Sequence, residues 1–355
     1  MRRWSCTTQS VHVPVIAPAA IGDRGAAHAH KVRTVEMWPI IRGLMTYVID
    51  PSSRLRSLVA PPAAPGRASS AEYCYGVWAK HLALLCEQGM RAPPLRVAEF
   101  GPGESLGVGV AALLMGTRAY GAFDVDRFAD TSRNLALLDE LAAMLARRAP
   151  VARAHSAWPP FQQLLDKEGF PGAQIPDAAL TAALDADRVA ATRAALAHLD
   201  DPQQKSETIQ YRAPWYEHLE APQEPYDLIL SHSVLQYVED LPQFLAVCAK
   251  WLKPGGWMSH HIDMTSMRIT REWNGHWSYP EWLWKVVRGN RPFFATRRIC
   301  SEYLEAFQSS GFRIVKAHRK YADHGISRAA AAADRSHLSD DDFSCTTLFL
   351  IGRNS

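Results

Sequence analysis

The sequence predicts an α/β fold in which a mostly parallel sheet is covered by helices on both faces. Three stretches predict it. Val97-Ala98-Glu99-Phe100-Gly101-Pro102-Gly103-Glu104-Ser105-Leu106-Gly107 reads as a buried strand, a glycine turn and a helix start. Leu228, Ile229 and Leu230 form the near-continuous apolar run expected of a parallel strand buried on both sides. Leu252-Lys253-Pro254-Gly255-Gly256 stops a helix and leads into a further strand, Trp257 to Ile262.

Taken in order, residues 1–36 mix Pro, Ala, Gly, His and Arg without a sustained period. They read as disordered, or as an extension upstream of a start at Met37. Pro14 and Pro18 break their apolar stretch, so a signal peptide is not expected. Residues 37–94 read as an N-terminal helical region. In it Trp38, Ile41, Leu44, Met45 and Val48 recur at helical spacing. A membrane surface and the core are the open uses of that face, and packing on the core is the expected one, since Arg42 alone gives little attraction to anionic lipid. Pro61 to Gly66 reads as a linker. Ser70 is the expected cap of a helix to about Gln88, with Cys74, Val77, Trp78, Leu82 and Leu85 as its apolar stripe. After a second strand, Ala119 to Asp124, the chain reaches no further good strand until Ile209-Gln210-Tyr211. A structureless loop of that length is improbable in a compact domain, so 131–205 is read as a helical insertion. A lid, a substrate platform or a contact between copies of the chain are its open readings. A helix is expected from Val234 onward, and a last helix over Ser301 to Ser310. A closing hairpin is expected from Gly311–Val315 and Cys345–Ile351, with a flexible surface loop holding Ala329–Ala333 and Asp340–Asp342 between its strands.

The glycine turn carries the chemistry. The glycines let a backbone approach a ligand closely. A dinucleotide fingerprint requires G-x-G-x-x-G, and its third position here is Leu106. Instead an acid, Glu99, stands two residues before Gly101, and a second acid, Asp124, ends the next strand where a ribose-binding carboxylate belongs. This acid-x-Gly-x-Gly arrangement resembles the first motif of the class I S-adenosylmethionine (SAM)-dependent methyltransferases. Tyr226-Asp227-Leu228-Ile229, His232-Ser233-Val234-Leu235-Gln236-Tyr237-Val238 and Leu252-Lys253-Pro254-Gly255-Gly256 resemble the second half of the same core. The resemblance covers Glu99 to about His261, less the insertion, and divides the domain into 95–130 and 206–355. It implies a Rossmann-like, seven-stranded sheet and SAM as cofactor. Gly101 and Gly103 would pass beneath SAM, and Glu99 would order the turn and the methionine end. Asp124 would accept from the ribose hydroxyls, Ala213 would stand near the adenine, and Ser231 and Tyr73 would line the pocket. Tyr73-Cys74-Tyr75-Gly76-Val77-Trp78 ahead of the turn is similar to bacterial methyltransferases of glycan and capsule assembly, which implies a sugar or other small polar acceptor.

A hydroxyl acceptor must lose a proton, and histidine titrates in the useful range. His232, at the end of the fourth strand, is the first candidate base and His261 the second. His260 and His261 should face opposite sides of their strand, so no metal site is expected there. The segment Trp273 to Trp284, followed by Arg291 and Arg297-Arg298, reads either as an acceptor pocket or as a loop pinned to the core. With 39 basic and 36 acidic residues, charge gives no reason to expect a nucleic-acid partner. Six dispersed cysteines without a C-x-x-C pair suit a reducing compartment, and no apolar run is long enough to span a bilayer, so a cytoplasmic location is expected. A non-catalytic SAM-binding scaffold and a nicotinamide-dependent oxidoreductase are the competing readings.

Overall fold

The computed structural model describes residues 35–49, 70–199, 206–217 and 219–355. The expected extension up to residue 34 and the linker at 61–66 lie outside the described residues. Seven strands form one sheet: β1 (Arg96–Phe100), β2 (Ala119–Phe123), β3 (Ile209–Arg212), β4 (Tyr226–His232), β5 (Leu252–Asp263), β6 (Phe312–Tyr321) and β7 (Cys345–Asn354). Their order is β3-β2-β1-β4-β5-β7-β6. The first five strands are parallel, and β7 inserts antiparallel between β5 and β6. The order reverses between β1 and β4, the switch point at which open α/β sheets hold ligands. The seven-stranded Rossmann-like sheet expected from the sequence is therefore present.

Helices cover both faces. On one side lie α2 (Ala71–Glu87) and α3 (Gly107–Leu114), joined by α4 (Thr131–Ala146), α5 (Arg153–Ser156), α6 (Pro159–Gln162), α7 (Asp177–Ala183) and α8 (Ala186–Ala197), all of which precede β3. On the other lie α9 (Leu241–Trp251) and α11 (Cys300–Ser309). The first helix among the described residues is α1 (Met37–Met45), α10 (Glu281–Arg288) precedes α11, and α12 (Asp340–Ser344) precedes β7. Ser70 caps α2 by accepting from Tyr73 N, as its residue type predicts. The central helix is buried along nearly its whole length, Lys80 and His81 included. Among the described residues no helix is long and apolar enough to cross a membrane.

Three local expectations are corrected. The apolar face of α1 does not pack on the core: Trp38, Ile41, Leu44 and Val48 are exposed. The helix docks through its opposite face, where Gly43 has no side chain and sits against the Val286 and Val287 carbonyls of α10. No helix starts at Val234. Ser233 takes φ +60°, a single 3-10 turn follows at Leu235–Tyr237, and α9 begins only after Asp240, whose carboxylate accepts from Gln243 N. Pro242, in the first turn, suits a start there, since its ring presets φ and needs no donor. Finally, the segment before β7 is tied down. Arg328 pairs with Asp340 at 2.6 Å, Arg335 with Glu281 at 3.2 Å, and the Asp342 carboxylate accepts from Ser301 N, Ser301 Oγ and Ser339 Oγ.

Candidate active site

The glycine turn links the carboxyl ends of β1 and β2. Gly101 N donates to the Phe123 carbonyl at 2.8 Å, and Gly103 N donates to Asp124 Oδ2 at 2.9 Å. Val125 N donates to the other oxygen of Asp124, at 2.7 Å. One carboxylate thus clasps the turn to the end of β2. Both glycines have positive φ, +69° and +73°, a region that strains any residue with a Cβ. Their surroundings differ. A Cβ at Gly101 would strike Val234, whereas a Cβ at Gly103 would meet nothing within 4 Å. Gly101 is required by packing, while Gly103 faces an open space that a ligand can enter. At the start of α3, Leu106 N and Gly107 N are already taken by Asn134 Oδ1 and Ser105 Oγ, so these two amides are not offered to a ligand.

Glu99 lies one turn of strand below. It is buried and accepts from Tyr120 Oη at 2.6 Å. Burial raises its pKa to about 7, opposed by the tyrosine hydrogen bond and reinforced by Asp124. Burial also raises Asp124, against the pull of its two backbone donors. Ala213 follows β3 beside Asp124, whose carbonyl accepts from Trp215 N at 2.8 Å. The structure therefore brings Glu99, Gly101, Gly103, Asp124 and Ala213 to one edge of the sheet.

Tyr73 and Tyr75 part company. Tyr75 is core, its hydroxyl donating to the Ala149 carbonyl. The Tyr73 ring is edge-on to His232, with centroids 6.1 Å apart, and to His155 of α5, at 5.2 Å. The insertion thus folds over α2 and brings a histidine to the site.

Strand alternation sorts the rest. Ser231 is fully buried, with its hydroxyl bonded to His260 Nδ1 at 2.8 Å on the α9 and α11 side, so only its backbone can line the pocket. His232 and His261 are register partners on the α2 side, stacked with centroids 4.1 Å apart and an interplanar angle of 10°. Two residues that sequence reasoning passed over join them. His81 Nε2 lies 3.2 Å from His232 Nδ1, and His81 Nδ1 lies 2.7 Å from Ser259 Oγ. A Lys-His pair in the middle of the apolar run Trp78 to Leu85 was the available signal: buried polar groups in a helix need partners.

The electrostatics of this cluster have one sign. Burial pushes His81 and His232 well below the ordinary histidine range and lowers His261 to about 3, with Lys80 acting in the same direction on all three. Lys80 is itself brought down to about 8 by burial and by Lys320. Among the described residues the leading influences on the three histidines include no carboxylate. The imidazoles are neutral at pH 7.

The tryptophan-rich segment after β5 is largely structural. Trp277, Tyr279 and Trp284 are buried, and Arg297 donates to the His276 and Tyr279 carbonyls at 3.0 and 2.6 Å while pairing with Glu281. Among the described residues no group of three or more His, Cys, Asp or Glu side chains could hold a metal ion.

Parts of the chain are similar to known proteins. Residues 164–258, from the insertion to the middle of β5, match a family model described as a methyltransferase domain. No curated protein matches the chain. Among solved structures, an S-adenosylmethionine-dependent methyltransferase of Mesorhizobium loti is 16% identical, with 81% of this chain and 100% of that chain covered at a TM-score of 0.38. A SAM-dependent methyltransferase of Methanosarcina mazei is 10% identical, with 76% and 96% covered at a TM-score of 0.37. Likenesses this distant carry no weight beside the strand order and register read from the chain itself.

Proposed function

We propose that this chain is a SAM-dependent methyltransferase acting on a small polar acceptor, at an oxygen of a sugar or glycan precursor. The observation that carries the reading is the turn at Gly101–Gly103. It is clasped by Asp124 at the sheet's switch point and open above Gly103. The donor set fits the cofactor. Asp124 would hold the ribose hydroxyls, Glu99 would serve the methionine end, and Ala213 and Tyr73 would border the adenine and the reacting end. When bound, SAM supplies an activated methyl group. The chain must then hold an acceptor in line, exclude water and receive a proton. His232 and His261 stand at the ends of β4 and β5 as neutral imidazoles, the form that can exchange a proton with a hydroxyl. Among the described residues the leading influences on them are cationic or imidazole groups, Lys80 included, which favours a hydroxyl or anionic acceptor over a cationic amine.

Calorimetric titration with SAM, and separately with NADH, tests the reading. The wild-type protein should bind SAM and ignore NADH. Asp124→Ala should weaken SAM binding about 10- to 100-fold, the scale of a lost hydrogen bond to a charged group. Heat with NADH and none with SAM would overturn the assignment.

A further inference from the structure

We propose that Ser259 and His81 lock His232 as a neutral hydrogen-bond donor through Nε2–H, so that proton acceptance falls to His261. This rests on the proposed transfer to oxygen, but its physical core is an accounting of buried protons. Ser259 lies on β5 between Leu230 and Ile351 and is fully buried. Among the described residues its hydroxyl has one partner, His81 Nδ1. A buried O–H that donates to nothing forfeits its hydration without return, so the hydroxyl proton points at His81 Nδ1. That nitrogen is then an acceptor, and the single proton of the neutral ring is on Nε2. His81 Nε2 faces His232 Nδ1, so His232 Nδ1 accepts and its own proton is on Nε2. The order Ser259 O–H, His81 N–H, His232 N–H runs one way only.

Two consequences follow for the site. His232 cannot take a second proton on Nδ1 without breaking the chain, and Lys80, His81, His155 and His261 all oppose a positive charge on it. It therefore presents a donor, which recognises an oxygen lone pair on the acceptor and rejects an ammonium group. His261 is held differently. Its Nδ1 lies 3.1 Å from Ser233 Oγ, and Ser233 is half-buried on a loop rather than sealed in the sheet. That hydroxyl can turn and either donate or accept, so His261 can present a lone pair at Nε2. Among the described residues the titratable groups facing His261 are His232, His81, Lys80, His155 and Lys320, which keep it neutral until a proton arrives. The candidate order expected from sequence, His232 before His261, is thereby reversed. His81 is a positioning residue, not a catalytic one.

Ring nitrogen NMR of 15N-histidine-labelled protein tests this without acceptor or cofactor, with signals assigned by single His→Gln variants. His81 and His232 should both carry their proton on Nε2, and His232 should stay neutral down to pH 5. Ser259→Ala removes the donor that fixes the chain and lets His81 turn its tautomer. His232 should then titrate, with its pKa raised by about one unit, a tenfold easier protonation. A proton on His232 Nδ1 in the wild type, or an unchanged His232 titration in Ser259→Ala, would overturn the proposal. The SAM titration is a separate readout. Its failure would sink the enzymatic reading while leaving the locked tautomer to stand or fall by its own spectra.

Discussion

Glu99 shows how a single side chain ties the glycine turn to pH. Its carboxyl is buried beneath the turn and beside Asp124, and its pKa is raised from the ordinary glutamate value of 4.5 to about 7. A raised acid favours the protonated folded form. The folded state then holds more protons than the unfolded chain between pH 4.5 and 7, and stability falls as pH rises through that window before levelling off. Glu99→Gln keeps an oxygen to accept from Tyr120 Oη and removes the titration. Relative to wild type, the variant should gain up to roughly 3 kcal/mol of stability between pH 4.5 and pH 8. Urea unfolding midpoints of both proteins at the two pH values check this, and parallel pH dependences would refute it. The grouping of Glu99, Gly101, Gly103 and Asp124 was legible because their positions are local to a strand end and a turn. His81 was not, since its partners are 151 and 178 residues away in sequence and only the sheet register brings them within reach.

Helices divide into those whose periodic apolar face names their neighbour and one whose face misleads. In α2 the stripe Cys74, Val77, Trp78, Leu82 and Leu85 is buried, as its spacing predicts. In α1 an equally regular stripe points outward, because the contact with α10 is made by the residues between: Pro39, Gly43 and Thr46. Thr46 Oγ1 donates to the Gly43 carbonyl at 2.6 Å and accepts from Asn290 N at 2.8 Å, which fixes the two helices in register. Periodicity records amphipathicity but does not say which side finds a partner when small residues allow backbones to touch. Gly43→Ala would drive a methyl group into the Val286 and Val287 carbonyls. Overpacking of this kind costs about 1–3 kcal/mol, and here it falls on the docking of α1 alone. Hydrogen exchange of the α1 amides should accelerate in Gly43→Ala while amides of β1 and β4 stay protected. Ile41→Ser, on the exposed face, should leave both unchanged. Unaltered protection of α1 in Gly43→Ala would remove the glycine contact as the basis of docking.

At the scale of the whole molecule, the sheet converts a sequence scattered over 95–130 and 206–355 into one edge. β1, β2 and β4 deliver the glycine turn, Asp124 and His232 to one carboxyl edge around the switch point, and the helices inserted between β2 and β3 fold back so that His155 reaches Tyr73. This much of the fold was legible because parallel strands buried on both faces leave uninterrupted apolar runs, and because Lys253-Pro254-Gly255-Gly256 punctuates the chain. The path of the insertion was not, since short Ala-rich helices carry no stripe strong enough to name their neighbours. A ligand held by three strands at once stabilises the native state as a unit, by RT ln(1 + [L]/Kd), or about 2.7 kcal/mol at a hundredfold excess over Kd. For a chain of this size that corresponds to a rise in Tm of roughly 3 °C. SAM should produce this shift in wild-type protein, and NADH at the same concentration should produce none. Asp124→Ala should cut the shift by half or more, because its loss releases the clasp on Gly103 and removes the proposed ribose acceptor together. An equal shift in Asp124→Ala would place the ligand away from the switch point and detach the glycine turn from cofactor binding.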